Sequence, residues 1–441
     1  MKQSKHNIYY SPKEVRTILE RSIDTALDGL KGYCNDPVSD FTRCRKLPAR
    51  TLIECIMSFS NYSSIGELSH FFVGHGEMPS ASALSQRRQL LDPDIFKRIN
   101  NLFVSAFDDH TTINGYHILA QDGSDVNIPF MDDKTKTEKH DAKSFCQYHV
   151  NALYDCINKV FYDWSIDAAS KKREVNALIS ILKDRNYPQN SIFTADRGYE
   201  SYNLMAHFIE NDTKFVIRVK DIHTKSGLMT NIKTEEGAFD MRINRTLTSL
   251  QTKEIKADKE KYIFVPSTSN FDFLDENRDF YDLSFRAVRF KISEDTYETV
   301  VTNLSEEEFK TEDFKELYHY RWNEETAFNK LKYTIGLVYF HARKRKLIQQ
   351  EINAAFLMYN VSEVIIRNID LKKNKKPKLE YDYKPNFSSA VTNIRLYLRK
   401  KISMKELIHR IKKFLVGQRP ERSFERNIKG QSCKPLNYRT S

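Results

Sequence analysis

The sequence has no long apolar run and few cysteines. No run approaches the roughly 18 apolar residues needed to span a bilayer, and the N-terminus, MKQSKHNIYY, lacks the apolar segment of a signal peptide. Among the six cysteines there is no Cys-x2-Cys pair and no regular spacing, which argues against both a thiolate zinc site and a disulfide framework. We therefore expect a soluble intracellular protein with reduced cysteines and no membrane partner.

Metal-ligand patterns of histidine are also missing. The twelve histidines show no ligand spacing. His149 falls in a predicted strand, where a core or edge position is the simplest interpretation, and His319 is interpreted as a surface residue. The sequence therefore directs attention to carboxylates rather than to His or Cys.

Acidic residues are scarce only at the C-terminal end. Residues 371–441 contain 20 Lys and Arg against 5 Asp and Glu, whereas residues 1–370 contain 50 against 54. The net charge of +11 is therefore a property of the tail. A basic segment with interleaved aromatic residues is typical of a polyanion-binding surface, so we predict a nucleic-acid partner, with a merely solubilising tail as the alternative.

Changes of pattern along the chain predict five segments. Two small basic clusters in the first segment, FTRCRKLPAR and SQRRQLL, could touch a DNA backbone. The segments are a helical N-terminal region with possible DNA binding (1–112), the first part of an α/β core (113–220), a β-strand insertion domain (221–304), the second part of the core (305–370) and a basic helical tail (371–441).

The core pattern predicts three strands, a helix, a strand, a helix and a strand. This order fits a mixed α/β sheet with helices packed on its faces. The predicted strands are HILAQDGSDVNI, YHVNALYDCI, NKVFYDWSI, NSIFTADRGY and TKFVIRVK; the predicted helices are KKREVNALISILKDR and YNLMAHFIEND; and the insertion contributes FDMRINRTLTS, EKYIFVPS, DLSFRAVRFKI and YETVVTNL as further strands.

Two aspartates share one local context in this core. Asp122 and Asp196 each follow an apolar run and stand at the predicted end of a buried strand. Strand ends of α/β sheets line the crevice where ligands bind, so the two carboxylates could converge although they are 74 residues apart. Either one alone would most often be a turn residue. Asp125 competes with Asp122 for the first position.

A single helix is predicted from a cap at Thr311 to a stop at Gly336. On a 3.6-residue helix, Tyr318, Arg321, Glu325 and Lys332 fall within an arc of roughly 60°. This stripe borders an apolar face formed by Leu317, Phe328, Leu331 and Ile335. The helical wheel leaves Glu324 open as an alternative to Glu325, since Glu324 would also point inward.

Two aspartates and one glutamate suit magnesium. Oxygen ligands of this kind hold one or two Mg²⁺ ions. Two ions about 3.5–4 Å apart can clamp the attacking and leaving oxygens of an in-line phosphoryl displacement. Cations beside the carboxylates suit work on a phosphate.

Together these motifs resemble the bacterial insertion-sequence transposases of the DDE superfamily, in the branch named for insertion sequence four. The signature Tyr-x2-Arg-x3-Glu-x6-Lys of that branch is matched without a gap from Tyr318 to Lys332, and it selects Glu325 over Glu324. The context DG[ST] of the first aspartate is matched at 122–124, and the context ADRGY of the second at 195–199. The resemblance covers roughly residues 79–345. A β insertion between the second aspartate and the glutamate is another trait of this branch.

The resemblance implies an RNase H-like catalytic core, interrupted by the β-rich insertion, in which Asp122, Asp196 and Glu325 bind divalent metal, Mg²⁺ or Mn²⁺, as two ions. Members cut double-stranded DNA at the terminal inverted repeats of their element and use the freed 3′ hydroxyl to attack target DNA. By the same analogy, Tyr318, Arg321 and Lys332 contact DNA phosphates near the cleavage point. A homodimer holding two DNA ends in the bacterial cytoplasm is expected.

Two other functions fit the same acids. One is an RNase H-like nuclease without strand transfer, and the other is a transposase-derived DNA-binding protein that has lost catalysis, although three intact acids argue against the latter. Some relatives stack a flipped base of a DNA hairpin on a tryptophan of the insertion, but both tryptophans, Trp164 and Trp322, lie outside it. Base stacking or simple packing are the two interpretations of the insertion aromatics Phe271, Phe273, Phe280 and Tyr281.

Overall fold

The N-terminal region is helical, and its first helix begins where the sequence indicates. The structure is a computed structural model of the single chain, and it describes residues 1–4, 9–43, 46–74, 76–108, 110–139, 142–169, 174–224, 226–266, 268–294, 296–371 and 382–418. Ser11 and Glu14 form a reciprocal capping box, and Pro12 occupies the first helical position. The helices of this region are α1 (Pro12–Asp28), α2 (Ala49–Met57), α3 (Ser64–Phe72), α4 (Ala81–Leu90) and α5 (Asp94–Val104).

The α/β core contains the predicted elements in the predicted order, together with one short strand, β2, that was not predicted. Its elements are β1 (His117–Ile128), β2 (Lys136–Lys139), β3 (Ala142–Asp155), β4 (Val160–Ala168), α6 (Glu174–Asp184), β5 (Ser191–Ala195), α7 (Tyr202–Glu210) and β6 (Lys214–Val219). Strand β3 pairs antiparallel with β1 and β4, whereas β5 runs parallel to both β1 and β6. The resulting order β4-β3-β1-β5-β6 is that of an RNase H-like sheet.

The insertion extends this sheet rather than forming one of its own. It contributes β7 (Phe239–Thr248), α8 (Lys253–Ala257), β8 (Tyr262–Phe264), β9 (Phe280–Ser293) and β10 (Thr296–Thr302). Strand β10 pairs antiparallel with β6, and β9, β7 and β8 follow in that order, so the sheet has ten strands in the described part of the chain. The alternating pattern predicted these strands but carried no information about their partner in the core.

The C-terminal part is more folded than a basic tail. It comprises α9 (Asp313–His319), α10 (Trp322–Lys330), α11 (Arg345–Arg367), β11 (Asp382–Pro385), α12 (Phe387–Leu398), α13 (Met404–Lys413) and β12 (Leu415–Gln418). Ile394 and Tyr397 of α12 and Leu407 and Ile411 of α13 join the same hydrophobic core as the sheet. The segment DLKKNKKPKLEYDYKP (370–385), which its sequence predicts to be a linker, lies mostly outside the described residues, as does the chain after residue 418.

No helix in the described part of the chain is both long enough and apolar enough to cross a bilayer. The longest, α11, is buried along nearly its whole length within the protein.

Arg88, in the predicted basic cluster SQRRQLL, is buried. It is 2% exposed and donates hydrogen bonds to Glu351 Oε1 at 2.8 Å and to the carbonyl of Leu347 at 2.7 Å. Because Arg88 is buried and its guanidinium is hydrogen-bonded within the protein, it is not available to a DNA backbone. This corrects the expectation that the cluster SQRRQLL touches DNA through Arg88. DNA binding by the rest of the N-terminal region stays a prediction.

A side chain of α11 covers the backbone of strand β4, which pairs with β3. Asn360 accepts a hydrogen bond from the Phe161 N–H at 2.8 Å and donates one to the Phe161 carbonyl at 2.8 Å. Its amide also donates to Asn100 Oδ1 on α5 at 2.7 Å. Buried backbone groups at a sheet edge need such partners, so Asn360 substitutes for a neighbouring strand.

We expect Asn360→Leu to lower the free energy of unfolding by about 1–3 kcal/mol, because it leaves the Phe161 N–H buried without a partner, whereas the Phe161 carbonyl keeps the Asn100 amide at 3.2 Å. Denaturant unfolding monitored by circular dichroism measures this loss. Asn329→Leu, the same change at an exposed position of α10, serves as the control and should shift stability by less than about 0.5 kcal/mol. Equal effects of the two substitutions would contradict this role of Asn360.

Candidate active site

Asp122 and Asp196 lie side by side where strands β1 and β5 separate. In the parallel register Gln121 pairs with Ala195, and β5 ends there while β1 continues to Ile128. The next residues on the two strands are the aspartates, and neighbouring strands lie about 4.8 Å apart. The predicted convergence of these two residues therefore has a direct basis in the strand register.

The sequence placed Asp122 at a strand end, and this is wrong. Strand β1 continues for six further residues and pairs with β3 through this stretch, so Gly123 is a strand residue rather than part of a turn. What ends beside Asp122 is the pairing with β5. Asp125 lies three positions further along the strand, and therefore on the opposite face of the sheet. The geometry thus separates the two competing aspartates.

Asp122 is a carboxyl group in crowded, partly buried surroundings. Burial raises its pKa to about 6, and the negative charges of Asp196 and Glu325 act in the same direction. The Gly123 N–H, which donates to Oδ1 at 2.8 Å, and the positive charge of Arg321 oppose this shift. Asp196, Glu325 and Arg321 therefore lie close enough to Asp122 to act on its charge.

Asp196 opens a short helical turn. Its side chain accepts a hydrogen bond from the Gly198 N–H at 2.7 Å and so caps residues 197–199. A Cβ added to Gly198 would lie only 2.9 Å from Asp196 Oδ1. The glycine of the ADRGY motif therefore leaves room for the carboxylate of the same motif.

The predicted helix 311–336 is interrupted. Helices α9 and α10 are joined at Tyr320 and Arg321 by a tighter turn, in which Arg321 and Glu324 donate to carbonyls three residues back. The expected cap is also wrong, because Thr311 donates its hydroxyl proton to Asp240 while α9 begins at Asp313. The predicted stop is confirmed, since Gly336 has φ of 120° after a wide turn at 331–335.

Two of the four residues predicted to form a polar stripe on this helix, Tyr318 and Arg321, are buried. Tyr318 is 2% exposed and Arg321 is 5% exposed. Arg321 Nη2 donates to Glu325 Oε1 at 3.2 Å, and the guanidinium lies over the Tyr318 ring, 5.6 Å from its centre. Burial lowers the pKa of the Lys332 ammonium, whereas the nearby charges of Asp125 and Asp122 raise it. Arg321 and Lys332 therefore lie near the carboxylates of β1.

The apolar border predicted for this helix is confirmed. All four residues are buried: Leu317, Phe328, Leu331 and Ile335. They anchor α9, α10 and the following turn against the core, which places Glu325 at the edge of the packed region.

Glu324 and Glu325 occupy different environments. Glu324 is 0% exposed, and neither of its carboxyl oxygens has a hydrogen-bond partner in the described part of the chain. Burial, followed by the charge of Asp122, raises its pKa well above the ordinary value and favours the neutral form. The Glu325 side chain is 31% exposed and bound to Arg321. An accessible carboxylate is the better metal ligand, which favours Glu325, although its assignment stays a prediction.

A comparison with protein families shows which family the chain belongs to. A family model described as a transposase DDE domain matches residues 113–361, more than half of the 441 residues. The chain belongs to the transposase DDE domain family. Membership supports a transposase function for the chain.

Other comparisons add little to this assignment. No curated protein matches the chain. Among solved structures, it is similar to a piggyBac transposase synaptic complex with hairpin DNA, with 12% identity, a TM-score of 0.45, and coverage of 96% of this chain and 90% of that one. The branch and the bacterial source expected from the signature stay predictions.

The donor set of this DDE transposase suits a hard divalent cation. Asp122, Asp196 and Glu325 offer only carboxylate oxygens, which Mg²⁺ and Mn²⁺ prefer. Their mutual repulsion contributes to the raised pKa of Asp122, and a divalent cation would relieve it. Among the described residues no three His, Cys, Asp or Glu stand at the spacing of a formed metal centre, and Glu325 is instead turned toward Arg321.

The insertion aromatics of this transposase mostly pack against each other. Phe271, Phe273 and Tyr281 are in mutual contact, with ring centres 5.4–5.9 Å apart, and Phe273 also meets His207 of α7. Phe280 alone is well exposed, at 44%. The packing interpretation therefore fits three of the four residues.

Proposed function

We propose that this protein is a metal-dependent transposase that cuts DNA at the terminal inverted repeats of its own element and joins the freed 3′ ends to target DNA. The observation that carries the proposal is the register of β1 and β5, which sets Asp122 beside Asp196 with α10 packed against β1. Family membership supports the reaction class. The arrangement suits phosphodiester chemistry, because carboxylates and cations meet where the inner strands β1 and β5 separate.

Asp122, Asp196 and Glu325 would hold the divalent ions, Mg²⁺ or Mn²⁺. When bound, these ions supply Lewis acidity, which stabilises charge on the attacking and leaving oxygens of the phosphate. Glu325 must first exchange its hydrogen bond with Arg321 for this role. Arg321 remains buried beside Asp122, where its positive charge favours the ionised carboxylate.

Lys332 is the member of the stripe best placed for substrate. It is only partly buried and lies near Asp122 and Asp125, so its ammonium can bind a phosphate brought to the carboxylates. Contact of Tyr318 and Arg321 with DNA, expected from the resemblance, requires a rearrangement at the joint between α9 and α10, because both side chains are buried. Double-stranded DNA, as element ends and as target, is the proposed partner, bound by a homodimer.

Purified protein with Mg²⁺ or Mn²⁺ should nick a duplex that carries the terminal repeat of the element and join the new 3′ end to a supercoiled plasmid. Denaturing gels detect nicking, and sequencing of the plasmid junctions detects joining. Cleavage without joining would favour the RNase H-like nuclease instead. Binding without either reaction would favour a transposase-derived DNA-binding protein.

A further inference from the structure

His149 joins two carboxylates beneath the proposed site. It lies on β3 opposite Asp125 of β1 and is 1% exposed. Its Nδ1 is 2.7 Å from Asp125 Oδ1, and its Nε2 is 3.0 Å from Glu174 Oε1. The hydrogen bond with Asp125 fixes the imidazole through Nδ1 and places Nε2 in close contact with the Glu174 carboxylate.

Gly123 makes room for this arrangement. A Cβ at position 123 would lie 2.3 Å from His149 Nε2 and 3.0 Å from Glu174 Oε1. The first distance is far below any contact that a real Cβ makes, so a side chain here would displace the imidazole. His149 of β3 and Glu174 of α6 both come close to the backbone of β1 at position 123. This close approach explains why a glycine follows Asp122 in the DG motif.

Glu174 reaches from this glycine toward the second aspartate. It is the first residue of α6, and its other oxygen, Oε2, lies 3.9 Å from where a Cβ of Gly198 would be. The same Cβ position is 2.9 Å from Asp196 Oδ1. The Glu174 carboxylate therefore lies between Gly123, which follows Asp122, and Gly198, which is two residues after Asp196. The Glu174 side chain is 33% exposed.

The hydroxyl of Tyr199 gives an independent indication of a ligand in this space. Tyr199, the last residue of the ADRGY motif, is 1% exposed, and its hydroxyl has no hydrogen-bond partner in the described part of the chain. Burial raises its pKa well above normal, and the negative charges that add to this effect belong to Glu174, Asp122, Glu324 and Asp196. A buried, unpartnered hydroxyl therefore lies close enough to Glu174 and both aspartates to feel their charges.

We propose that Glu174 is a fourth carboxylate of the divalent-metal site, and that His149, held by Asp125, is the positioning residue that aims it. This inference rests on the proposed function, since it assigns one more donor to the same site. Glu174 would add a carboxylate donor to the three acids of the signature, from the side of the sheet where α6 begins.

The direct test is Mn²⁺ binding to the full-length protein, measured by isothermal titration calorimetry and by the loss of the free-ion electron paramagnetic resonance signal. Glu174→Gln should weaken Mn²⁺ binding by about 10- to 100-fold, and His149→Gln by about 10-fold, as for loss of a metal-site partner. Asp184→Asn, an exposed acid at the other end of α6, should leave the affinity unchanged.

Glu174→Asp keeps the charge but shortens the side chain, so it should also weaken Mn²⁺ binding if Glu174 contacts the ion. It provides a second variant if the glutamine form is unstable, and circular dichroism establishes folding for each. Affinity equal to wild type in both Glu174 variants, with weakened binding in Asp122→Asn and Asp196→Asn, would overturn this inference and leave the proposed function intact. Unchanged Mn²⁺ binding in all of them would count against the proposed function itself.

Discussion

Glu325→Gln should reduce the rate of DNA cleavage at least about 1,000-fold, with the protein still folded. The substitution keeps the size of the side chain but removes a charged metal ligand, and several kcal/mol of transition-state stabilisation correspond to a thousandfold or more in rate. Single-turnover cleavage of a labelled terminal-repeat duplex measures the effect. Joining of a pre-cleaved 3′ end should fall equally, because both steps use the same carboxylates.

Two controls separate this result from simpler causes. Glu316→Gln changes an exposed acid on the neighbouring helix α9 and should cleave at the wild-type rate. Glu324→Gln tests the residue that the helical wheel left open; because Glu324 favours its neutral form, the amide should cost far less activity than Glu325→Gln. A larger loss with Glu324→Gln than with Glu325→Gln would reverse the assignment of the two glutamates.

Glu351→Gln should destabilise the protein by about 3–5 kcal/mol, the usual cost of leaving a buried ion pair with one partner. Glu351 binds Arg88 at 2.8 Å and His341 Nδ1 at 3.0 Å, and all three side chains are at most 6% exposed. His341 also lies 3.4 Å from the buried Glu67 of α3. This network ties α3 and α4 of the N-terminal region to α11, so its loss should loosen both.

Denaturant unfolding measures this effect, and the exposed pair of Glu406 and Arg410 supplies the control. Glu406→Gln removes an i,i+4 ion pair on the surface of α13 and should cost no more than about 0.5 kcal/mol. The double replacement of Arg88 and Glu351 by methionine should recover much of the loss, because no buried charge is then left without its partner. Equal costs for Glu351→Gln and Glu406→Gln would contradict the role of the network.

The same network makes stability depend on pH in the acid range. Burial opposes ionisation of Glu351, but the charges of Arg88 and His341 outweigh it and lower its pKa to about 2. The unfolded value is about 4.3, so the stabilisation is fully present above that pH and is lost as the pH falls toward 2. Glu67, whose pKa is also lowered, acts in the same direction. Wild-type unfolding free energy should therefore fall below pH 5, and Glu351→Gln should flatten this dependence.

The elements of the core could be predicted from the sequence because their signals are local. Strand β1 has the predicted bounds, and α6, β5, α7 and β6 follow in order, since apolar periodicity and turn residues are properties of short segments. The pairing of β10 with β6 could not be predicted, because strand periodicity says which face is buried and not which strand lies alongside. Helix α12 was not predicted individually, because residues 371–441 were interpreted mainly by their positive charge.

At the candidate site, the residues were predictable but their surroundings were not. The 100° wheel assumes uninterrupted helical hydrogen bonds, and the tight turn at Tyr320 and Arg321 breaks that assumption. Asp122 was placed at a strand end because a following glycine usually marks a turn, whereas Gly123 here admits a histidine from the neighbouring strand. Glu174 gave no signal beyond lying in the first turn of a predicted helix, since its place near both aspartates depends on how α6 packs.

Anomalous diffraction from crystals of the protein grown with Mn²⁺ and a terminal-repeat duplex would locate the metal ion relative to the three acids. We expect an Mn²⁺ peak with carboxylate oxygens of Asp122, Asp196 and Glu325 at about 2 Å, and with Glu325 released from Arg321. An Mn²⁺ peak elsewhere in a DNA-bound structure, with Glu325 still paired to Arg321, would contradict it.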